Sequence, residues 1–165
     1  MISDKTCRLC KQRTIEKWKL NVLNDLPVQY YECTNCVSLQ TERPYWLKEA
    51  YHSNISSLDT GIVARNLNNF AVCIILCRLL NVNKTIDYGS GDGLLTRYLR
   101  DHDIDAYAYE KYSIPKYAQG FNNPDWKDIQ LITAFEVFEH FEDPATEIEY
   151  IFSCNPNFIL ISTEL

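Results

Sequence analysis

From about residue 59 onward, apolar positions follow two periods that alternate along the chain. Ile62, Val63, Leu67, Phe70, Ala71, Ile74 and Ile75 recur at roughly helical spacing, which predicts one long helix capped by Ser57 or Asp59. Short β-prone runs then predict strands at 85–88, 106–109, 129–134 and 158–163. Between them, apolar spacing predicts helices at 93–101, through Leu94, Leu95, Tyr98 and Leu99, and at 144–152, with a loop or short helix at 114–119. Alternating strand and helix predicts an α/β fold, a doubly wound parallel sheet with helices on both faces. No repeat or low-complexity tract interrupts the pattern.

The first of these strands runs into Asp87-Tyr88-Gly89-Ser90-Gly91-Asp92-Gly93, directly before the helical pattern. Glycines at this junction let bare backbone approach a ligand at a helix N-terminus. Glu110 closes the second strand 21 residues after Gly89, about the distance at which a β-α-β unit presents a carboxylate to ribose hydroxyls. Together these predict a Rossmann-like nucleotide-cofactor site; the bland alternative is a glycine turn with a surface glutamate. Asp87, two residues before the first glycine, would repel a pyrophosphate and tolerate or attract a cationic ammonium or sulfonium.

Asp87-x-Gly89-x-Gly91-x-Gly93, then Glu110, then Leu131-Ile-Thr-Ala-Phe-Glu-Val-Phe-Glu-His140 closely resembles class I S-adenosylmethionine (SAM)-dependent methyltransferases over about residues 60–165. The resemblance implies that the glycine loop, Tyr88 and Ser90 included, wraps the methionyl part of SAM. It also implies that Glu110 takes the ribose hydroxyls and that Phe135 and Glu136 approach the methyl group. Lys111, Phe121 and Asn122 are candidate adenine contacts, and Arg65 is the candidate partner of the methionyl carboxylate.

Glu136, Glu139 and His140 carry three readings. His140 or Glu139 can serve as a base that deprotonates the acceptor; all three can bind a divalent ion, as this motif does in some related O-methyltransferases; or they are structural.

The N-terminal segment has its own chemistry. Cys7-x-x-Cys10 and Cys33-x-x-Cys36, separated by 22 residues, have zinc-ribbon spacing, and four thiolates complete a closed tetrahedral shell suited to a structural Zn2+. About 40 residues hold too little core to fold unaided, so metal binding would be coupled to folding. Disulfide pairing is the alternative reading. Cys73 and Cys77, one helical turn apart in an apolar segment, and the isolated Cys154 read as buried thiols. The expected organisation is a ribbon at 1–42, a connector entering a short helix at 43–58, and a SAM-binding domain at 59–165. With the ribbon added, the resemblance narrows to bacterial methyltransferases that carry an N-terminal zinc-binding segment, sugar C-methyltransferases among them. It implies that Tyr45, Trp46, Tyr51, Asp59, Thr60 and Arg65 are candidates to line the site.

Charge changes the choice of acceptor. Residues 1–58 carry a net +2 and residues 59–165 a net −8. An enzyme of nucleic acids ordinarily needs a basic footprint, so a small molecule is expected, a sugar or a polysaccharide or secondary-metabolite precursor. A zinc-ribbon RNA methyltransferase and a non-catalytic SAM-binding or interaction module are the alternatives. Met1 is followed by a polar, charged stretch without an apolar signal core, and Phe70–Leu80 is broken by Arg78; a cytoplasmic protein without a membrane span is expected. The family carries two further strands after its fifth, here Phe158-Ile-Leu-Ile-Ser-Thr163. Ending at Leu165, the chain is expected to leave the sheet incomplete beyond its fifth strand, of doubtful catalytic competence, and prone to homodimerise through an open edge.

Overall fold

The structure is a computed structural model and describes residues 5–22, 25–45 and 59–163. It divides into two compact units, one of residues 1–52 with 141–149 and one of residues 53–140 with 150–165. Trp46, Tyr51 and Ser57, and with them the expected connector helix, lie outside the described residues.

In the first unit, β1 (Thr14–Val22), β2 (Leu26–Cys33) and β3 (Leu39–Thr41) form an antiparallel sheet in that order. Thr14 pairs with Cys33, and the register slips by a bulge between Glu16 and Lys19. Two tight turns flank the sheet, Cys7–Lys11 before β1 and Cys33–Val37 between β2 and β3, and they share a closing hydrogen bond and a left-handed residue. The Cys7 amide donates to the Gln12 carbonyl at 2.7 Å, as the Cys33 amide does to Ser38 at 2.9 Å. Lys11 and Val37, each one residue past the second cysteine, both adopt left-handed backbone, with φ of 61° and 62°.

In the second unit, α1 (Ile62–Leu79) leads into a parallel sheet of β4 (Lys84–Tyr88), β5 (Asp105–Tyr109), β6 (Leu131–Phe135) and β7 (Phe158–Ser162), ordered β5-β4-β6-β7. The helices α2 (Leu94–Arg100) and α3 (Pro144–Ser153) are the crossovers from β4 to β5 and from β6 to β7. Because the two crossovers move outward in opposite directions from the β4/β6 pair, right-handed connections place their helices on opposite faces. Side-chain parity agrees. On one face Cys73, Cys77, Leu95 and Leu99 pack with Ala106 and Leu131, whereas on the other Tyr88, Trp126 and Tyr150 meet edge to face.

The helices stop by one device. Asn81 (φ 54°) follows α1, and the next amide, Val82, returns to the Cys77 carbonyl at 2.8 Å. Asp103 (φ 64°) follows α2, and Ile104 returns to Leu99 at 3.1 Å. A left-handed Asn or Asp followed by an apolar residue that folds back on the last turn satisfies carbonyls the helix leaves open. At its start, α3 has Asp143, whose carboxylate accepts the Thr146 hydroxyl at 2.9 Å, and Pro144 in the first turn.

Two expectations need correction. The N-cap of α1 is Gly61, with no side-chain cap; Asp59 instead accepts the Gly61 amide at 3.2 Å, two residues on, as a short Asx turn. The α1 helix, expected to be too interrupted, is long and apolar enough to cross a membrane by length and composition alone, because Arg65 and Arg78 fall near its two ends. It also contributes Cys73 and Cys77 to the core beside α2. The parallel sheet has four strands among the described residues, at the four places the apolar pattern predicts, and 110–130, broken by Pro115, Gly120 and Pro124, forms a loop. The Phe121 carbonyl still accepts the outward Ala108 amide of β5 at 2.8 Å. Arg100 stacks over Phe121 at 3.5 Å and donates to the Ala106 carbonyl, pinning the loop to that edge.

Candidate functional site

The strand order reverses between β4 and β6, and ligands in open parallel sheets bind outside the carboxyl ends of the strands at such a point. Three loops converge there. The glycine loop after β4 is tied to β5 by the Gly89 and Ser90 amides, both donating to the Tyr109 carbonyl at 2.8 and 3.2 Å. Glu110, the residue after β5, accepts the Gly91 amide at 3.0 Å through one oxygen and the Tyr112 amide at 3.1 Å through the other. The loop after β6 reaches the same place: a Cβ on Gly89 would lie 2.6 Å from a Val137 γ-carbon.

The glycines have different reasons to be there. All three adopt left-handed backbone, with φ of 70°, 55° and 82°. Gly93, the N-cap of α2, is buried; a Cβ there would lie 2.7 Å from that of Ala118 and 3.2 Å from its amide nitrogen. A Cβ on Gly91 would meet no described protein atom within 4 Å. Ser90 Oγ is buried without a hydrogen-bond partner among the described residues. A backbone cradle open at Gly91, an orphaned hydroxyl and a carboxylate at the start of α2 fit a polar cofactor that brings its own donors and acceptors.

Asp87 is 5 % exposed and takes the Thr133 hydroxyl at 2.8 Å from the neighbouring strand. Burial pushes its carboxyl up to about 7; the Thr133 bond opposes this, and the charge of Glu110 adds to it. Its part in the geometry is to tie β4 to β6 beneath the loop. Behind the loop, the carboxylate of buried Asp92 meets Lys116 at 3.3 Å, and the Asp92 carbonyl accepts the Tyr117 amide at 2.8 Å.

Of the acids after β6, Glu136 (φ 55°) accepts the Ser162 hydroxyl, and Glu139 accepts that of Thr163 at 3.0 Å. His140 ends a 3-10 turn, Phe138–His140, and is exposed. These three do not gather into a metal-binding group; among the described residues only the four cysteines do. The other expected contacts are more scattered. Phe135 ends β6 and is half-buried; Arg65 pairs with Asp59 at 2.6 Å; Lys111 is exposed beside the Tyr112 ring; Phe121 packs under Arg100 at the outer edge of β5. Tyr45 and Thr60 are exposed.

In the first unit, the ligand atoms of Cys7, Cys10, Cys33 and Cys36 lie within 4.8 Å of one another. All four are free thiols, which removes the disulfide reading. The Cys10 and Cys36 amides donate back to the sulfurs of Cys7 and Cys33 at 3.5 and 3.4 Å. Ser38 Oγ lies 3.4 Å from Cys7 Sγ and 3.2 Å from Cys36 Sγ, bridging the two turns. Burial opposes ionisation of Cys7, but the Ser38 hydroxyl and the amides of Cys10 and Leu9 overcome it and bring the thiol down to about 6. Cys33 is pushed up to about 11, first by burial, with the neighbouring Cys10 and Cys36 adding to it. Four sulfurs gathered this closely are compatible with a metal ion, and an all-sulfur donor set is that of a structural zinc site. By contrast Cys73, buried and beside Asp87, is pushed up to about 12 and behaves as a core thiol.

Sequence reasoning missed Ser162, Thr163, Thr133, Val137 and Ser38. Thr133 lies mid-strand in β6 and the others at a strand end or in a turn; no spacing rule marks any of them, and only the fold brings each to its partner.

Residues 60–164 match the family model described as a methyltransferase domain, and the chain belongs to that family of class I methyltransferases. Methyl transfer is the family's chemistry, and SAM is the donor it implies. Comparison with curated proteins returns no match.

Proposed function

We propose that this member of the methyltransferase-domain family uses SAM to methylate a small-molecule acceptor, a sugar or a polysaccharide or secondary-metabolite precursor, and carries a structural zinc on Cys7, Cys10, Cys33 and Cys36. The observation that carries the donor is the convergence of the glycine loop, Glu110 and the loop after β6 at the strand-order reversal. Bound SAM supplies an electrophilic methyl group on a sulfonium. The chain's contribution is orientation. Glu110, which accepts the Gly91 and Tyr112 amides, would hold the ribose hydroxyls, the glycine loop would hold the methionyl chain, and Phe135 and Glu136 would line the approach to the methyl group. His140, exposed at the end of the 3-10 turn, is the base proposed to take the acceptor's proton. Support for a small acceptor is the net −8 of residues 59–165, which disfavours polyanions.

Calorimetric titration of S-adenosylhomocysteine (SAH) into the zinc-supplied protein tests the donor. Micromolar-range binding is expected, with Glu110→Ala weakening it at least about ten-fold, the scale of lost charge-assisted hydrogen bonds. Equal binding by the variant would refute the role given to Glu110.

A further inference from the structure

The loop after β6 is held from the far side by the end of β7. Phe135 and Ser162 are paired in register, so the strand ends lie side by side. Immediately beyond, Glu136 turns the chain in left-handed backbone, which is unfavourable for a non-glycine residue and persists only where the surroundings fix it. Ser162 fixes it twice: its carbonyl accepts the Glu136 amide at 3.0 Å, and its hydroxyl donates to the Glu136 carboxylate. Thr163 donates to Glu139 at 3.0 Å. Consecutive hydroxyls thus hold acids three residues apart. Between those acids, Val137 places both γ-carbons within 3 Å of where a Cβ on Gly89 would be, and so packs directly on the bare glycine. A continuous series of contacts runs from Ser162 through Glu136 and Val137 to the glycine loop.

We propose that Ser162, with Thr163 beside it, is a positioning residue for the methyl-donor site, holding Glu136 in place and, through Val137, the glycine loop. The proposal rests on the SAM-binding reading above. A hydroxyl donor at this place also keeps Glu136 an acceptor, tied to Ser162 through one carboxylate oxygen.

The test compares isosteric side chains. Ser162→Thr keeps the hydroxyl and Ser162→Val removes it, and both suit a strand; Ser162→Ala is the companion should valine perturb folding, and thermal melting monitors all three. In SAH calorimetry of the zinc-supplied full chain, Ser162→Val should weaken binding about ten-fold and Ser162→Thr stay within about two-fold of wild type. In a Glu136→Ala background, the valine and threonine variants should bind alike, because the hydroxyl then has nothing to position. A merely structural serine would lower the melting temperature and leave that coupling at zero. Wild-type affinity in Ser162→Val, or the same ten-fold loss with Glu136 removed, would overturn the proposal alone. Failure of the wild-type chain to bind SAH would overturn the donor reading and the proposal with it.

Discussion

Gly91 and Gly93, two residues apart in sequence, should separate folding from binding. Both Gly91 and Gly93 have positive φ, so alanine at either position costs about 1–2 kcal/mol of backbone strain. At Gly91 that is the whole cost, since the new methyl group would meet no described protein atom within 4 Å. At Gly93 the methyl group would lie 2.7 Å from the Ala118 Cβ, 3.1 Å from that of Pro115 and 3.2 Å from a backbone nitrogen. Backbone cannot swing aside as a long side chain can, so overpacking adds about 1–3 kcal/mol. Gly91→Ala should therefore lose about 1–2 kcal/mol of stability, and Gly93→Ala about 2–5. Binding should sort the other way: the Gly91 methyl group projects into the cradle and should weaken SAH at least about ten-fold, the larger loss per unit of stability. Urea denaturation at fixed pH and zinc gives the first quantity and calorimetry the second. Equal stability of the two variants would refute the packing argument, and wild-type SAH affinity in Gly91→Ala would refute the placement of the cofactor.

Three further outcomes follow from the same geometry. Asp87, held at about 7 in the fold against 3.8 when unfolded, keeps its proton in the native state while the unfolded chain loses it; wild-type stability should fall by up to about 4 kcal/mol as pH rises from about 4 to 7 and level off above. Asp87→Asn should lack that slope, and parallel urea-midpoint profiles at pH 5, 6, 7 and 8 would count against it. Removing the metal with a chelator should abolish the ordered ribbon strands, and Ser38→Ala, which loses the hydroxyl shared by Cys7 and Cys36, should weaken Co2+ or Zn2+ binding about ten-fold in a chelator competition while Ser38→Thr keeps it. The β7 strand pairs only with β6 among the described residues and exposes Phe158 and Ile161, so self-association through it is expected; light scattering that gives a monomer at high concentration would remove that expectation.

Local sequence determined a good deal of this protein. The period of apolar residues placed α2, α3 and all four parallel strands to within a residue or two, because side-chain burial on a helix or strand follows directly from its repeat. Cysteine spacing determined the four-sulfur cluster, since a two-residue gap closes a tight turn with both thiols on one side. Glycine positions and the distance to Glu110 marked the left-handed loop that Glu110 meets, because left-handed backbone and close approach admit few other residues. Tertiary structure decided what depends on partners remote in the chain. Only strand register brings Thr133 to Asp87, 46 residues away, and Ser162 to Glu136, 26 residues away. Only packing shows that the loop at 110–130 is held to the edge of β5 by Phe121 under Arg100, and that Gly89 is bare to receive Val137. Helix spacing alone left Asp59 a candidate cap, whereas the folded chain uses it to bind Gly61 and Arg65. The division is physical: periodicity and turn chemistry act over a few residues and can be read locally, while a hydroxyl's meaning is set by which acid the fold lays beside it.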